Sequence, residues 1–426
     1  MLDQLRVGLA GFGTVGTGLV RVLDRNRQQV VDRTGRDIRI TKIAERNEAR
    51  RKDIKAAGAD MTTDWHDLVD DPDIDVVVEL IGGTTVAREL ITAALEAGKH
   101  VVTANKALLA EHGREIFPMA SASGVHLGFE ASVAGGIPVV QTLKGGLAGN
   151  RIRSLVGILN GTANFILTEM SSRGLDFDTA LRMAQDKGYA EADPTLDIEG
   201  VDAAHKLVLL IQLALGRYYP LDQLPVTGIS VVDPMDIAFA REFGYAVRLI
   251  AQARMVDGRI EAGVYPALAA EDSLLSAVQG SFNAIRFEGN AGPVMLYGYG
   301  AGDMPTGSAV LADIMTIARG DAPCNTGFTA NVLPRAEILD LDQAQSLHYV
   351  RFMVPDQTGV LRDIGGAMAD NGISIAQAIQ KGENPGQGVP IVLLTHEAKA
   401  DDIHKAMRQV EAMGLTVARS MHFRIL

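Results

Sequence analysis

Short apolar runs alternate with amphipathic ones from the N-terminus to about residue 130. Leu5 to Ala10 is one such run, and Asp75 to Leu80 (D-V-V-V-E-L) is nearly continuous in β-branched residues. Runs of that length without polar alternation predict strands buried on both faces, as in a parallel sheet. Ile38 to Ala44, His100 to Thr103 and Val125 to Phe129 read as further strands. Between them, the stretch carrying Leu19, Val20, Val22 and Leu23 reads as a helix, as does Ala87 to Ala97, which Gly98 is placed to end. Strand and helix in alternation predict a doubly wound parallel sheet of the α/β class. Between Leu155 and Tyr265, strands mix with a long helix from about Val201 to Leu215. G-Y-G-A-G, ending at Gly302, leads into a last helix over P-T-G-S-A-V-L-A-D-I-M-T-I-A-R, expected to return to the first domain.

The tail follows another pattern. Arg335 to Ser346 is polar and reads as a linker. Val350, Phe352 and Val354 alternate as a strand, and Leu361, Ile364 and Met368 sit at helical spacing. Asn371-Gly372 marks a turn, Ile373 to Ile379 a strand, K-G-E-N-P-G-Q-G a hairpin loop and Pro390 to Thr395 a third strand. Ile403, Met407 and Val410 form a second helical face, and Thr416 to Ile425 closes as the fourth strand. This βαββαβ order is ferredoxin-like. The expected boundaries are a nucleotide-binding domain over 1–134 with 305–334, an α+β catalytic and dimerisation domain over 135–304, a linker over 335–346 and a regulatory unit over 347–426.

Composition narrows the class. The 426 residues carry a net charge of -12, which argues against a nucleic-acid partner because phosphate binding needs clustered cations. Hydrophobic content is 47%, yet no run approaches the roughly 18 apolar residues that span a bilayer, and the N-terminus lacks the pattern of a signal peptide. A cytoplasmic protein without a membrane partner is the expectation. The lone Cys324 excludes an intrachain disulfide and a zinc knuckle.

The candidate chemistry begins directly after the first strand. G-F-G-T-V-G places Gly11, Gly13 and Gly16 in G-x-G-x-x-G spacing, with Phe12, Thr14 and Val15 between them, and a helical pattern follows. That context is a dinucleotide fingerprint: one glycine for the turn, one for backbone approach to the pyrophosphate and one for helix packing, with the phosphates on a helix N-terminus. After the second strand come Glu45 and Arg46. An acid there favours NAD and an arginine NADP, so both cofactors stay open, with a lean to NADP. Lys106 ends V-T-A-N-K, just past the strand that closes on Thr103. Ligands of open α/β sheets bind at that edge. Lys206 lies four residues after Asp202, a spacing that pairs acid and base on a helix, and it enters the apolar run L-V-L-L-I-Q-L-A-L. A hydride acceptor needs a cation where negative charge develops on the carbonyl oxygen, and lysine can polarise that oxygen and supply a proton.

These segments, with G-I-L-N-G-T-A-N-F-I, E-A-D-P-T-L-D-I-E-G-V-D-A-A-H-K and the tail motif P-D-Q-T-G-V-L, resemble homoserine dehydrogenase with a C-terminal ACT domain, over essentially the whole chain. The resemblance implies NAD(P)H-dependent reduction of aspartate 4-semialdehyde to homoserine, on the route to threonine, isoleucine and methionine. It implies Lys206 as proton donor, held by Asp202, with Lys106 beside nicotinamide and substrate. It also implies that Glu191 and Asp197 bind substrate, with Tyr189, Gly161 and Thr162 shaping the pocket, and that Gly302 approaches the nicotinamide. Around Glu130, Val133, Gly135 and Ile137 it implies a monovalent cation, sodium, held mostly by backbone carbonyls. In the tail it implies an amino-acid effector, threonine first, near Asp356, Gly359 and Asn371, and a homodimer or homotetramer. With no aspartate kinase segment ahead of the fingerprint, the monofunctional form is expected, with a tail removable after about residue 340 without loss of catalysis. Two other readings fit the residues less well. Aspartate-semialdehyde dehydrogenase needs a thiolate, and Cys324 is poorly placed for one. A non-catalytic sensor leaves Lys106, Asp202 and Lys206 without a purpose.

Overall fold

β1 (Gln4–Ala10) sits at the centre of a six-stranded sheet, with β2 (Asp37–Ala44) on one side and β4 (Val76–Glu79) on the other. β3 (Asp60–Thr62), β5 (His100–Thr103) and β6 (Leu127–Gly128) complete the order β3-β2-β1-β4-β5-β6, every pair parallel. The chain leaves β1 in one direction and resumes on its other side, which makes the carboxyl ends of β1 and β4 a topological switch point. Val7, Leu9 and Val76 to Val78 are fully buried, the signature of a sheet covered on both faces. The computed structural model describes residues 3–51, 58–330, 332–381 and 388–426, in two units. The first unit is Met1–Leu155, Asp202–Leu224 and Phe282–Ala336; the second is Val156–Val201, Pro225–Ser281 and Glu337–Leu426.

Within the first unit, α1 (Thr14–Arg25) and the helix Asp303–Ala318 share one core with β1. Their crossing is close because neither has a side chain there. A Cβ on Gly18 would lie 2.0 Å from the Asp303 carbonyl oxygen, and one on Gly307 would lie 2.5 Å from the backbone of Gly18. The last helix therefore does return to the nucleotide-binding sheet. The helix Val86–Glu96 ends before Gly98, whose φ of 70 stops it. The strand expected over Val125 to Phe129 contracts to Leu127–Gly128. Side chains take over the next donors: Asn325 accepts from the Leu127 N–H and Asp313 from the Glu130 N–H. A hairpin of Phe282–Gly289 and Gly292–Tyr299 completes this unit.

In the second unit, Tyr245–Val256 and Arg259–Ala270 form a long antiparallel hairpin. The tail supplies Gln345–Val354, Ile375–Gln380, Val389–Thr395 and Met421–Ile425, ordered fourth, first, third, second, which is the ferredoxin-like arrangement. Helices Val360–Asp370 and Ala400–Ala412 cover one face. One detail differs from the sequence pattern. Ile364 and Met368 are buried as expected, but Leu361 is 50% exposed, and Val360 and Ala367 complete the buried stripe instead. Most of the expected hairpin loop, residues 382–387, lies outside the described residues.

The tail is built into the second unit. Ile425 pairs in parallel with Leu268 of the hairpin. Glu337 and Leu339 bond through their backbones to Ile260. Arg351 grips the fully buried Asp236 through two bonds, 2.6 and 2.9 Å, and the Tyr349 hydroxyl adds a third at 2.8 Å.

Candidate active site

The glycine loop is shaped by what would otherwise collide. Gly11 has a φ of 95, and a Cβ there would lie 2.5 Å from the Leu80 carbonyl oxygen. A Cβ on Gly16 would lie 2.5 Å from the Gly11 oxygen. Gly13 caps α1, so Thr14 and Val15 open the helix with their N–H groups in its first turn. Glu45, at the end of β2, is buried. Its carboxylate accepts from the Phe12 N–H at 2.9 Å and the Asn47 N–H at 2.7 Å. Arg46 is exposed. Arg50 reaches the loop instead: its guanidinium is 3.8 Å from Glu45 and would be 3.4 Å from a Cβ on Gly13.

Glu79 does the same work for the next two strand ends. One of its oxygens accepts from the Ile81 and Gly82 N–H groups, and the other from the Thr103 hydroxyl at 2.6 Å. Thr103 in turn accepts from the Asn105 N–H. Asn105 caps the helix Lys106–Ala122, so Lys106 is its first residue. Gly302, with φ 123, caps Asp303–Ala318, the helix packed on α1.

At that edge the two lysines meet. Asp202 divides its carboxylate between them: one oxygen is 3.2 Å from Lys106 Nζ and the other accepts from Lys206 Nζ at 2.7 Å. Asp202 and Lys206 lie one turn apart on Val201–Leu215, buried from Asp202 to Leu213. Lys206 is nearly inaccessible, at 10% side-chain exposure, whereas Lys106 keeps 37%. Beside them, burial holds the His205 imidazole below its usual value, while Asp202 opposes that shift. One carboxylate thus faces both amines.

The other expected residues fall in the second unit. Asn160 is central there. Its side-chain oxygen caps the helix Gly161–Arg173, and its amide donates to Asp197 at 2.7 Å. Thr162 donates to the Tyr189 carbonyl at 2.7 Å. Tyr189 is 44% exposed and lies edge-on to Phe165, and Glu191 is exposed. Asp193 accepts from the N–H and the hydroxyl of Thr195.

Glu130, Val133, Gly135 and Ile137 lie on one loop of the first unit. Ala134 and Gly135 are left-handed in succession, with φ 56 and 54. The Glu130 carboxylate accepts from the Val140 and Gln141 N–H groups at 2.8 and 2.7 Å. Burial, and then the neighbouring Asp313, pushes its carboxyl up to about 7. That side chain fastens the loop, so any hard cation here takes carbonyl oxygens, a donor set suited to it. Among the described residues, no group of three or more His, Cys, Asp and Glu is arranged to hold a metal.

In the tail, Asp356 and Gly359 stand at the start of the helix Val360–Asp370, with Asp356 accepting from Gln380 at 3.4 Å. Asn371 caps the other end and bonds to Ala367 and Gln409. Eleven helical residues, about 16 Å, separate them. The structure therefore does not bring Asn371 to the other two within one chain. Arg50, Glu79 and Asn160 were not singled out from the sequence, and Glu45 only as a group bearing on the choice of cofactor.

Known proteins agree with this layout. A family model described as homoserine dehydrogenase, NAD binding domain, matches residues 11–130; one described as homoserine dehydrogenase matches 138–315, and the ACT domain matches 348–414. The homoserine dehydrogenase of Pseudomonas aeruginosa is 42% identical over 420 residues, 97% of this chain and 96% of that protein. The crystal structure of a homoserine dehydrogenase from Thiobacillus denitrificans superposes with a TM-score of 0.94 at 43% identity, covering 100% of this chain and 99% of that one. A hyperthermophilic archaeal homoserine dehydrogenase in complex with NADPH matches at a TM-score of 0.63 and 27% identity, over 76% of this chain and 99% of that one. The chain belongs to the homoserine dehydrogenase family of NAD(P)-dependent oxidoreductases and carries a C-terminal ACT domain.

Proposed function

We propose that this oxidoreductase interconverts aspartate 4-semialdehyde and homoserine, with Lys206 as the proton donor in the reducing direction. The observation that carries the reading is the single carboxylate of Asp202 between the amines of Lys106 and Lys206. Bound NAD(P)H supplies the hydride. As negative charge grows on the aldehyde oxygen, Lys206 delivers a proton to it and becomes a neutral amine. Lys106 stays cationic and stabilises the oxygen by charge. Asp202 orients both and takes no proton itself. By family resemblance, Glu191 and Asp197 bind the substrate, with Tyr189, Gly161 and Thr162 as further contacts.

NADP is the proposed cofactor over NAD. Glu45 is already engaged by the Phe12 and Asn47 N–H groups, while Arg50 and Arg46 offer cations for an extra phosphate. Sodium is proposed on the carbonyls of Glu130, Val133, Gly135 and Ile137. A cytoplasmic location is proposed, and among the described residues no helix is long and apolar enough to cross a membrane. We also propose a homodimer at least. Phe282, Tyr297 and Tyr299 stack on one face of the Phe282–Tyr299 hairpin, and the two tyrosines remain 55% and 54% exposed. Light scattering that reads a monomer at working concentration would refute the dimer.

The decisive assay is homoserine-driven reduction of NADP⁺ and of NAD⁺, each read at the nicotinamide absorbance. Turnover with homoserine is expected, and at lower concentrations of NADP⁺ than of NAD⁺. No reduction with either nucleotide rejects the reading; equal response rejects only the cofactor preference.

A further inference from the structure

Glu79 closes β4 and Thr103 closes β5, and both are fully buried. A buried acidic side chain is costly unless donors surround it. The donors that meet Glu79 are neutral. The Ile81 and Gly82 N–H groups reach one oxygen at 2.8 and 3.0 Å, and the Thr103 hydroxyl reaches the other at 2.6 Å. Glu79 takes no part in the proton transfer, so its place at this edge has another reason.

The bonds close into a ring. The Thr103 hydroxyl, which donates to Glu79, accepts from the Asn105 N–H at 2.9 Å. The Asn105 amide donates to the Gly83 carbonyl at 2.7 Å. Gly83 lies on the loop whose N–H groups Glu79 already holds, and Gly82 and Gly83 carry that loop through the left-handed region with φ of 80 and 71. The side-chain oxygen of Asn105 is occupied too, accepting from the Leu108 N–H at 3.1 Å. Asn105 is therefore fixed at its backbone and at both ends of its side chain. Lys106 follows it at once, as the first residue of the helix Lys106–Ala122.

That position is a poor one for a lysine, because the helix dipole is positive there. Lys106 also keeps 37% side-chain exposure, so water competes for its ammonium. Its Nζ nevertheless stands 3.2 Å from Asp202. A long side chain is aimed by the backbone it leaves, and an error of about 1 Å in a reacting group can cost about 100-fold in rate.

We propose that Glu79 is a positioning residue for Lys106: through Thr103 and Asn105 it fixes the helix start from which Lys106 reaches Asp202. The proposal rests on the catalytic reading of Lys106 given above.

A double-mutant cycle on the full-length chain tests it, with homoserine oxidation read at saturating nucleotide. Glu79→Gln keeps the shape but leaves one acceptor oxygen, which cannot serve both the loop and Thr103. It is expected to lower kcat about 10–100-fold in the native background, with little change in the KM for homoserine. In Lys106→Ala the same substitution is expected to cost no more than about twofold, because no ammonium is left to place. An equal fold-loss in both backgrounds overturns the proposal, since a merely structural role is indifferent to Lys106. Native kcat in Glu79→Gln overturns it as well. If Glu79→Gln fails to fold, Thr103→Val, which removes the linking hydroxyl, carries the same comparison. Thr103→Ser restores that hydroxyl and is expected to recover most of the kcat that Thr103→Val loses; no recovery sinks the relay. Native kcat in Lys106→Ala alone rejects the catalytic reading and this proposal together. A low kcat there beside native kcat in Glu79→Gln rejects only the role of Glu79.

Discussion

At the residue scale, the shared carboxylate makes unequal demands on its two lysines. Lys206 is almost enclosed and one helical turn from Asp202, whereas Lys106 is partly open. Loss of the proton donor and loss of the charge that stabilises the oxygen are both expected to be severe. Lys206→Ala is expected to lower kcat by about 10²–10⁴-fold, the usual worth of a positioned acid, with cofactor affinity retained. Lys206→Arg restores charge but gives up no proton, so it should recover little. A variant with near-normal kcat would remove Lys206 from the chemistry. Glu130 gives a prediction of a different kind. Its carboxyl is raised to about 7 in the folded chain, so the folded state binds a proton that the unfolded state releases near the ordinary carboxylate value of about 4.5. That contribution to stability is whole below about pH 4.5 and fades as pH rises through about 7. Asp313, raised to about 6 by burial, adds in the same sense. Denaturant titrations at several pH values should show a shallower decline across that window in Glu130→Gln. An unchanged slope would mean that Glu130 titrates normally in the fold. The two lysines and Asp202 were legible because their spacing has a chemical reason. Glu79 and Asn160 were not, nor was the grip of Glu45 on the glycine loop, because a carboxylate or amide that organises backbone N–H groups looks like any polar residue until the loop it organises is seen.

At the scale of elements, periodicity was the better guide where burial is complete. His100–Thr103 and Val201–Leu215 fall where the apolar pattern places them, because two-sided burial leaves no polar alternation to misread. Patterns lose their hold where a side chain takes over a backbone donor. The strand after Val125 is only Leu127–Gly128, and Asn325 and Asp313, some 200 residues downstream, accept from the N–H groups of Leu127 and Glu130. No local propensity encodes that competition. The tail helix Val360–Asp370 illustrates a smaller limit. Of the three apolar residues at helical spacing, Ile364 and Met368 are buried, whereas Leu361 faces outward and its neighbour Val360 takes the buried place. The crossing of α1 with Asp303–Ala318 was legible only as an expected return of the chain. That it depends on Gly18 and Gly307 follows from the distance between the two backbones, which neither helix reveals alone.

For the whole molecule, the consequential difference concerns the tail. A polar stretch ahead of a ferredoxin-like pattern suggests a module on a tether. Instead, Glu337 and Leu339 bond to Ile260, and the final strand extends the Tyr245–Ala270 hairpin by pairing with Ala267 and Leu268. Cutting after about residue 340 would strip one of the two neighbours from a strand buried along nearly its whole length. It would also leave Asp236, fully buried, without Arg351 and Tyr349. Orphaning a buried charge costs about 3–5 kcal/mol, a large share of the stability of an ordinary domain. The truncated chain is therefore expected to aggregate or to melt well below the intact one, losing turnover through its fold. Point variants separate this from simple loss of mass. Arg351→Met alone should lower Tm sharply, because the carboxylate stays behind. Arg351→Met combined with Asp236→Leu should recover much of the loss, because both charges leave together and apolar packing replaces them. A truncated chain with the Tm and kcat of the intact protein would show that these contacts carry no weight, and would return the tail to the status of a detachable module.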